Sequence, residues 1–308
     1  MSYIDIVNTL NKLASLGSLD YKENAPLKDY SSFRIGGPAD LVVHPKSTKT
    51  LIELIQLFSN HKYPFKVFGN ASNVLFSDLG YRGAIIFTGE MQGYDVSENM
   101  VTVAAGMSFT LLSAKVRDLS LSGLEFAYGI PGTVGGAIYM NAGAYGGSVS
   151  DTLISSLAYD PIQNEVYTID GVENHRFGYR HSCYMENGGI ILSGTFALKN
   201  GNSEEIGAKM KELMDSRRSK QPLEYPSAGS VFKRPEGHFA GKLIEDAGLK
   251  GYQIGGAQVS EKHAGFIINR GGASASDVCA LIEHIQNTVF KQFGVSLETE
   301  IIRLEQGV

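Results

Sequence analysis

Gly129-Ile130-Pro131-Gly132-Thr133-Val134-Gly135-Gly136-Ala137-Ile138-Tyr139-Met140-Asn141-Ala142-Gly143-Ala144-Tyr145-Gly146-Gly147 holds seven glycines and three alanines in nineteen residues. So few bulky side chains leave the backbone able to approach a large flat ligand at van der Waals distance. Its N–H groups could also meet a pyrophosphate. The stretch is neither a Walker loop nor a G-x-G-x-x-G fingerprint, because the lysine and the spacing are wrong. A purely structural glycine run is the alternative, at a high conformational cost.

A second small-residue loop lies about 60 residues upstream, Gly69-Asn70-Ala71-Ser72-Asn73, straight after the apolar run Phe65 to Phe68. Its short side chains free backbone N–H groups to face an anion, and Ser72 and Asn73 add side-chain donors. An ordinary tight turn is the competing reading. The chain carries 36 glycines in 308 residues, against the roughly 7% of ordinary usage. They cluster without a repeat, which excludes collagen-like or linker sequence.

Working outward, Ile4, Val7, Leu10 and Leu13 predict an opening helix. Asp40 to His44 reads as extended. Ser47 or Thr48 caps a helix bearing Leu51, Ile52, Ile55 and Phe58. Strands are predicted at Phe65 to Phe68, Ala84 to Phe87 and Val101 to Ala104, with a helix through Leu111, Leu112, Val116 and Leu119. Residues 153 to 198 are strand-rich. Helices follow at Ser203 to Ser219, Gly241 to Ala247 and Ser276 to Phe293, and strands at Ala264 to Asn269 and Glu300 to Leu304. The pattern is α+β.

A net charge of −5 gives no overall basic field, so nucleic acid is not an expected partner. Cys183 and Cys279 are too few and too far apart for a zinc pattern or a disulfide framework, and no metal is expected. No apolar run reaches the roughly 20 residues of a membrane span, and the N-terminus has no signal-peptide pattern. A cytoplasmic protein without membrane partners is expected.

The two loops, in this order, resemble those of the UDP-N-acetylenolpyruvoylglucosamine reductase family, whose second loop reads G-I-P-G-[ST]-V-G-G-A and then N-A-G-A-Y-G. The resemblance runs from Phe33-Arg34-Ile35-Gly36-Gly37-Pro38-Ala39-Asp40 to the C-terminus. It implies the FAD-binding fold of the vanillyl-alcohol oxidase type, in two subdomains, plus a C-terminal α/β substrate domain. The corresponding boundaries are 1–95 with a returning strand at 299–308, then 96–205, then 206–298. It also implies the shorter form of the family, without an extra tyrosine-bearing loop, and a monomer.

By resemblance, FAD contacts Gly69, Asn70, Ala71, Ser72 and Asn73, then Gly129, Ile130, Pro131, Gly132, Thr133, Gly135, Gly136, Ala137, Asn141, Ala142 and Gly143, and also Ile190. The family usually has glycine where Ala71 stands. Three further motifs, Tyr179-Arg180-His181-Ser182, Ser227-Ala228-Gly229-Ser230 and Leu297-Glu298-Thr299-Glu300, match the family's catalytic arginine, serine and glutamate. The implied reaction is NADPH-dependent reduction of an enolpyruvyl ether on UDP-N-acetylglucosamine, a step in making peptidoglycan precursors for the cell wall, and thus for cell shape and division.

Arg180 would hold the substrate carboxylate with a planar, permanently charged fork. Ser230 would protonate the carbanionic carbon, and Glu300, as the neutral acid, would polarise the developing enol. Tyr145, Tyr179, Arg217, Lys220, Arg234 and His263 match substrate-facing positions. Arg217 and Lys220 could equally be a solvated helix end, which favours cations. Many relatives read Glu-Val-Arg at the end of the last motif, whereas Arg303 lies one residue further on. Two other functions stay open: an alcohol or sugar oxidase on the same fold, and a nucleotide-sugar-binding module without flavin.

Overall fold

Apolar spacing and caps account for most of the helices in the computed structural model, which describes residues 3–305. The helix Thr48–Asn60 starts where the Ser47 hydroxyl accepts from the Thr50 N–H. It buries Leu51, Leu54, Ile55 and Phe58. The helix Ala275–Phe293 has a capping box between Ser274 and Asp277 and ends on Gly294 at φ 70°, a left-handed position that favours glycine. The opening helix is Tyr3–Ser15, but its buried face differs from the predicted one. Ile6 and Leu10 are buried while Ile4 is 67% exposed.

The described chain divides into two compact units, and neither is continuous in sequence. The first comprises residues 1–23, 41–70 and 83–215, and the second 24–40, 71–82 and 216–308. The consecutive segments expected from sequence, cut near 95 and 205, cross this division. Of the expected returning strand 299–308, residues 302–304 are strand; residues 306–308 lie outside the described residues.

The first unit carries a four-stranded sheet in the order Leu19–Pro26, Pro38–Pro45, Tyr81–Phe87, Phe65–Phe68. Phe65–Phe68 runs parallel to Tyr81–Phe87. A second, antiparallel sheet of five strands has the order Glu165–Asp170, Leu153–Asp160, Ile190–Ala197, Met100–Ala104, Tyr94–Ser97. The helix Val134–Tyr139 packs on it. A Cβ at Gly194, mid-strand, would come within 2.5 Å of Ile138 Cδ1, so a larger residue here would make the Ile138 side chain shift. Two apolar cores result, one around Val103, Phe109, Val134 and Phe196, the other around Leu41, Leu51, Phe58 and Ile86.

The second unit contains an antiparallel sheet, Ser227–Ser230, Phe266–Asn269, Ala257–Val259, Gln253–Ile254. Its core gathers Phe33, Val231, Ile244, Val278, Leu281 and Ile285. The late strand Ile302–Leu304 pairs in parallel with the early strand Val74–Phe76. No helix of the described residues is long and apolar enough to cross a membrane.

Candidate active site

The glycine-rich stretch is less of a loop than its composition suggests. Thr133 is a buried N-cap whose hydroxyl accepts from the Gly136 N–H, and Val134–Tyr139 is helical. The Val134 and Gly135 N–H groups donate to the carbonyls of Met107 and Ala105, both at 2.8 Å, and the Gly129 N–H donates to the Thr110 hydroxyl. These N–H groups are spent on the fold, contrary to the expectation that the stretch offers them to a pyrophosphate. The bridge between Ser108 and Thr133, just before the helix, brings the Met107 and Ala105 carbonyls to its first N–H groups.

The first loop is tied to this stretch within the first unit. Asn70 Nδ2 donates to the Pro131 carbonyl at 3.0 Å. A Cβ on Gly69 would fall 2.1 Å from Thr133 Oγ1, so glycine is needed for the approach. The next residue but one, Ala71, is buried at φ 44°. A left-handed residue among short side chains turns successive N–H groups toward one side, the geometry of an anion nest. The loop has the short side chains and the left-handed residue that an anion nest uses.

Arg180 sits at the tip of a two-residue turn closed by reciprocal bonds between Gly178 and His181. Its φ is 55°. Its guanidinium lies 5.2 Å from the Tyr179 ring centroid and donates to the Gly143 carbonyl at 3.4 Å. Asn141 Nδ2 donates to the Gly178 carbonyl, its Oδ1 accepts from the Ser150 N–H, and Ser182 Oγ donates to the Tyr139 carbonyl. Glu186 reaches both Arg176, at 2.7 Å, and His181, at 3.1 Å. Beside the turn, the hairpin Gly143–Ser148 has both tip residues left-handed, Tyr145 at 54° and Gly146 at 89°, as a type I′ turn requires. The unit thus presents Tyr145 and Arg180 at left-handed positions, with Tyr179 beside Arg180 in the same turn.

In the second unit, Ser230 follows a register break in its strand at Gly229, whose φ is 77°. The Glu300 N–H donates to the Val231 carbonyl at 2.7 Å, so Ser230 and Glu300 lie on adjoining backbone segments. Asn73 joins them: its Nδ2 donates to the Glu300 carbonyl at 3.1 Å, and its own carbonyl accepts from the Ile302 N–H. Three separate sequence motifs meet here. Glu300 precedes the strand proper, since strand pairing begins at Ile302, and Arg303 points to solvent.

The remaining candidates are more dispersed. Arg217 is buried and donates to Gln221 at 3.4 Å, while Lys220 ends its helix exposed. Arg234 lies over the exposed Phe239 ring at 4.5 Å. His263 is half-buried; its Nδ1 accepts from the Gly265 N–H, and burial lowers its pKa. Ile190 opens the central strand of the five-stranded sheet. Thr110 and Ser182, to which no role was assigned from sequence, pin the glycine stretch from outside it. The only signal at Thr110 was a small hydroxyl, whereas Ser182 stands at the end of the quoted arginine motif.

Residues 39–161 match a family model described as an FAD binding domain, and residues 221–304 match the C-terminal domain of UDP-N-acetylenolpyruvoylglucosamine reductase. The chain is 49% identical over 286 residues to the UDP-N-acetylenolpyruvoylglucosamine reductase of Latilactobacillus sakei, covering 92% of this chain and 93% of that one. It is 46% identical to that of Agathobacter rectalis over 98% of both. The crystal structure of the Thermus caldophilus enzyme superposes with a TM-score of 0.79 at 34% identity, over 93% of this chain and 99% of that one. The α+β fold is thus the FAD-binding architecture with an added C-terminal domain, and the chain belongs to the UDP-N-acetylenolpyruvoylglucosamine reductase family.

Proposed function

We propose that the protein reduces UDP-N-acetyl-3-O-(1-carboxyvinyl)-glucosamine to UDP-N-acetylmuramate with NADPH and FAD, in the cytoplasm, as a monomer. The observation that carries this reading is the Glu300 N–H bonded to the Val231 carbonyl, which sets a hydroxyl and a carboxyl on neighbouring backbone. A hydride reduction of a vinyl carbon needs such a proton donor.

FAD supplies the two-electron relay, from NADPH to the terminal vinyl carbon. Gly69 to Asn73 would hold its pyrophosphate. Gly129 to Gly132, with Thr133, Gly135, Gly136, Ala137, Asn141, Ala142, Gly143 and Ile190, would line the rest of it. Residues 1–95 and 96–205 would then be its two binding subdomains, and 206–298 the substrate-binding domain.

Charge develops on the carbon beside the substrate carboxylate as its double bond is reduced. Arg180 holds that carboxylate through paired, charge-assisted hydrogen bonds. Fixed charge aimed at developing charge is often the largest catalytic contribution. Ser230 gives its proton to the carbon, and Glu300 stabilises the enol form. Arg217, Lys220, Arg234 and His263 bind the UDP-sugar, and Tyr145 and Tyr179 line it.

The test mixes FAD-loaded protein, NADPH and the enolpyruvyl substrate. Substrate-dependent NADPH loss, with one UDP-N-acetylmuramate formed per NADPH, is expected. Loss of NADPH that depends on oxygen and not on substrate would overturn the reading in favour of an oxidase.

A further inference from the structure

A buried polar chain in the first unit lies just behind the Arg180 turn. Ser156, His175 and Tyr184 are 2%, 0% and 1% exposed. Ser156 Oγ lies 2.7 Å from both His175 Nε2 and Tyr184 Oη, and His175 Nδ1 lies 2.8 Å from the Gly171 carbonyl.

The protons in this chain have one consistent arrangement. The Gly171 carbonyl only accepts, so His175 Nδ1 carries the hydrogen. Neutral Nε2 then accepts, so the Ser156 hydroxyl donates to it. Ser156 has given up its hydrogen, so Tyr184 donates to Ser156. Burial lowers the pKa of His175 and raises that of Tyr184, which keeps both neutral. The chain is one-directional and satisfied at every link.

Its two ends flank the segment that presents Arg180. His175 enters it and Tyr184 leaves it, and the Cys183 N–H closes the base on the His175 carbonyl at 2.8 Å. Between them Arg176 and Arg180 have φ of 49° and 55°. Non-glycine residues hold such angles only where the surroundings over-determine them. Ser156 belongs to the strand Leu153–Asp160, paired on both sides in the five-stranded sheet, so the chain fastens both ends of the segment to that sheet.

We infer that Ser156, His175 and Tyr184 are positioning residues that act through Arg180. They fix the base of the segment 176–183 so that the guanidinium meets the substrate carboxylate in one orientation. This rests on the reading of Arg180 as the carboxylate holder.

The experiment is a double-variant cycle on FAD-loaded protein: wild type, Ser156→Ala, Arg180→Ala and both together. Two half-reactions are followed by flavin absorbance, bleaching by NADPH and recovery on adding the enolpyruvyl substrate. Recovery in Ser156→Ala is expected to slow about 10- to 100-fold, as a displacement near 1 Å can cause, with bleaching spared. The double variant should be no slower than Arg180→Ala alone. In hydrogen exchange, the amides of 176–183 should exchange faster in Ser156→Ala, while those of Ile190–Ala197 do not change.

Additive effects, or normal recovery in Ser156→Ala alongside a slow Arg180→Ala, overturn the inference. Normal recovery in Arg180→Ala overturns the reading of Arg180 itself, a separate failure. If Ser156→Ala gives no folded holoprotein, Tyr184→Phe, which deletes one hydroxyl and keeps the ring, replaces it in the cycle with the same expectations.

Discussion

Ala71, Asn141, Tyr145 and Arg180 share a property that their side chains do not announce: each has φ between 42° and 55°. Residue types at the site were legible in the sequence, because arginine, serine and glutamate recur in quotable motifs. The strain was not, since backbone angles at non-glycine residues follow from tertiary packing. Ala71 is the informative case. A left-handed alanine costs about 1–2 kcal/mol, and a glycine there costs roughly 0.5–1 kcal/mol in unfolded-chain entropy. Ala71→Gly should therefore raise the melting temperature slightly and tighten FAD binding, both measurable by thermal denaturation and flavin fluorescence titration. Ser230→Ala removes only the hydroxyl proposed as the proton donor. It should slow flavin reoxidation by substrate more than about 100-fold, the usual share of general acid catalysis, while stopped-flow reduction by NADPH stays normal.

At the scale of elements, the periodic helices and strands were readable from apolar spacing; in Thr48–Asn60, Ser47 is the cap, and Leu51, Ile55 and Phe58 are buried as expected, while Ile52 is half-buried and Leu54 is buried as well. The glycine-rich stretch was misjudged for a physical reason. Glycine lowers helix propensity, yet Thr133 caps the turn and the Met107 and Ala105 carbonyls beside the Ser108 bridge satisfy its first N–H groups, so tertiary bonding outweighs propensity. The interlock of the two glycine segments is likewise invisible in one dimension. Gly69→Ala would drive a methyl onto Thr133 Oγ1. It should release FAD during gel filtration, seen as loss of yellow colour. Thr133→Ala removes the cap at a cost of about 1 kcal/mol and relieves no clash. It should lower the melting temperature by a few degrees and weaken flavin binding less than Gly69→Ala does.

For the molecule as a whole, the α+β class was legible from the order of predicted elements, but the interleaved units were not. Segments 24–40 and 71–82 join the second unit through pairings that span most of the chain. Stability against acid is also a whole-molecule property. His44, His175 and His263 have pKa values lowered by burial from the ordinary 6.5. The unfolded chain therefore takes up protons first as the pH falls, and stability, full above about 6.5, declines below it. Urea midpoints should fall between pH 7 and pH 5, and His175→Gln should flatten that slope while lowering stability at pH 7. The late strand has a different consequence, one of timing. Asn73 takes its partners from Glu300 and Ile302, so the loop read as the pyrophosphate holder is fastened by residues synthesised more than 200 positions later. At roughly 5–20 residues per second, about 10–45 s separate the synthesis of that loop from the synthesis of the residues that fasten it. FAD loading is expected to wait for residues 300–302, and nascent chains stalled short of residue 300 should carry none.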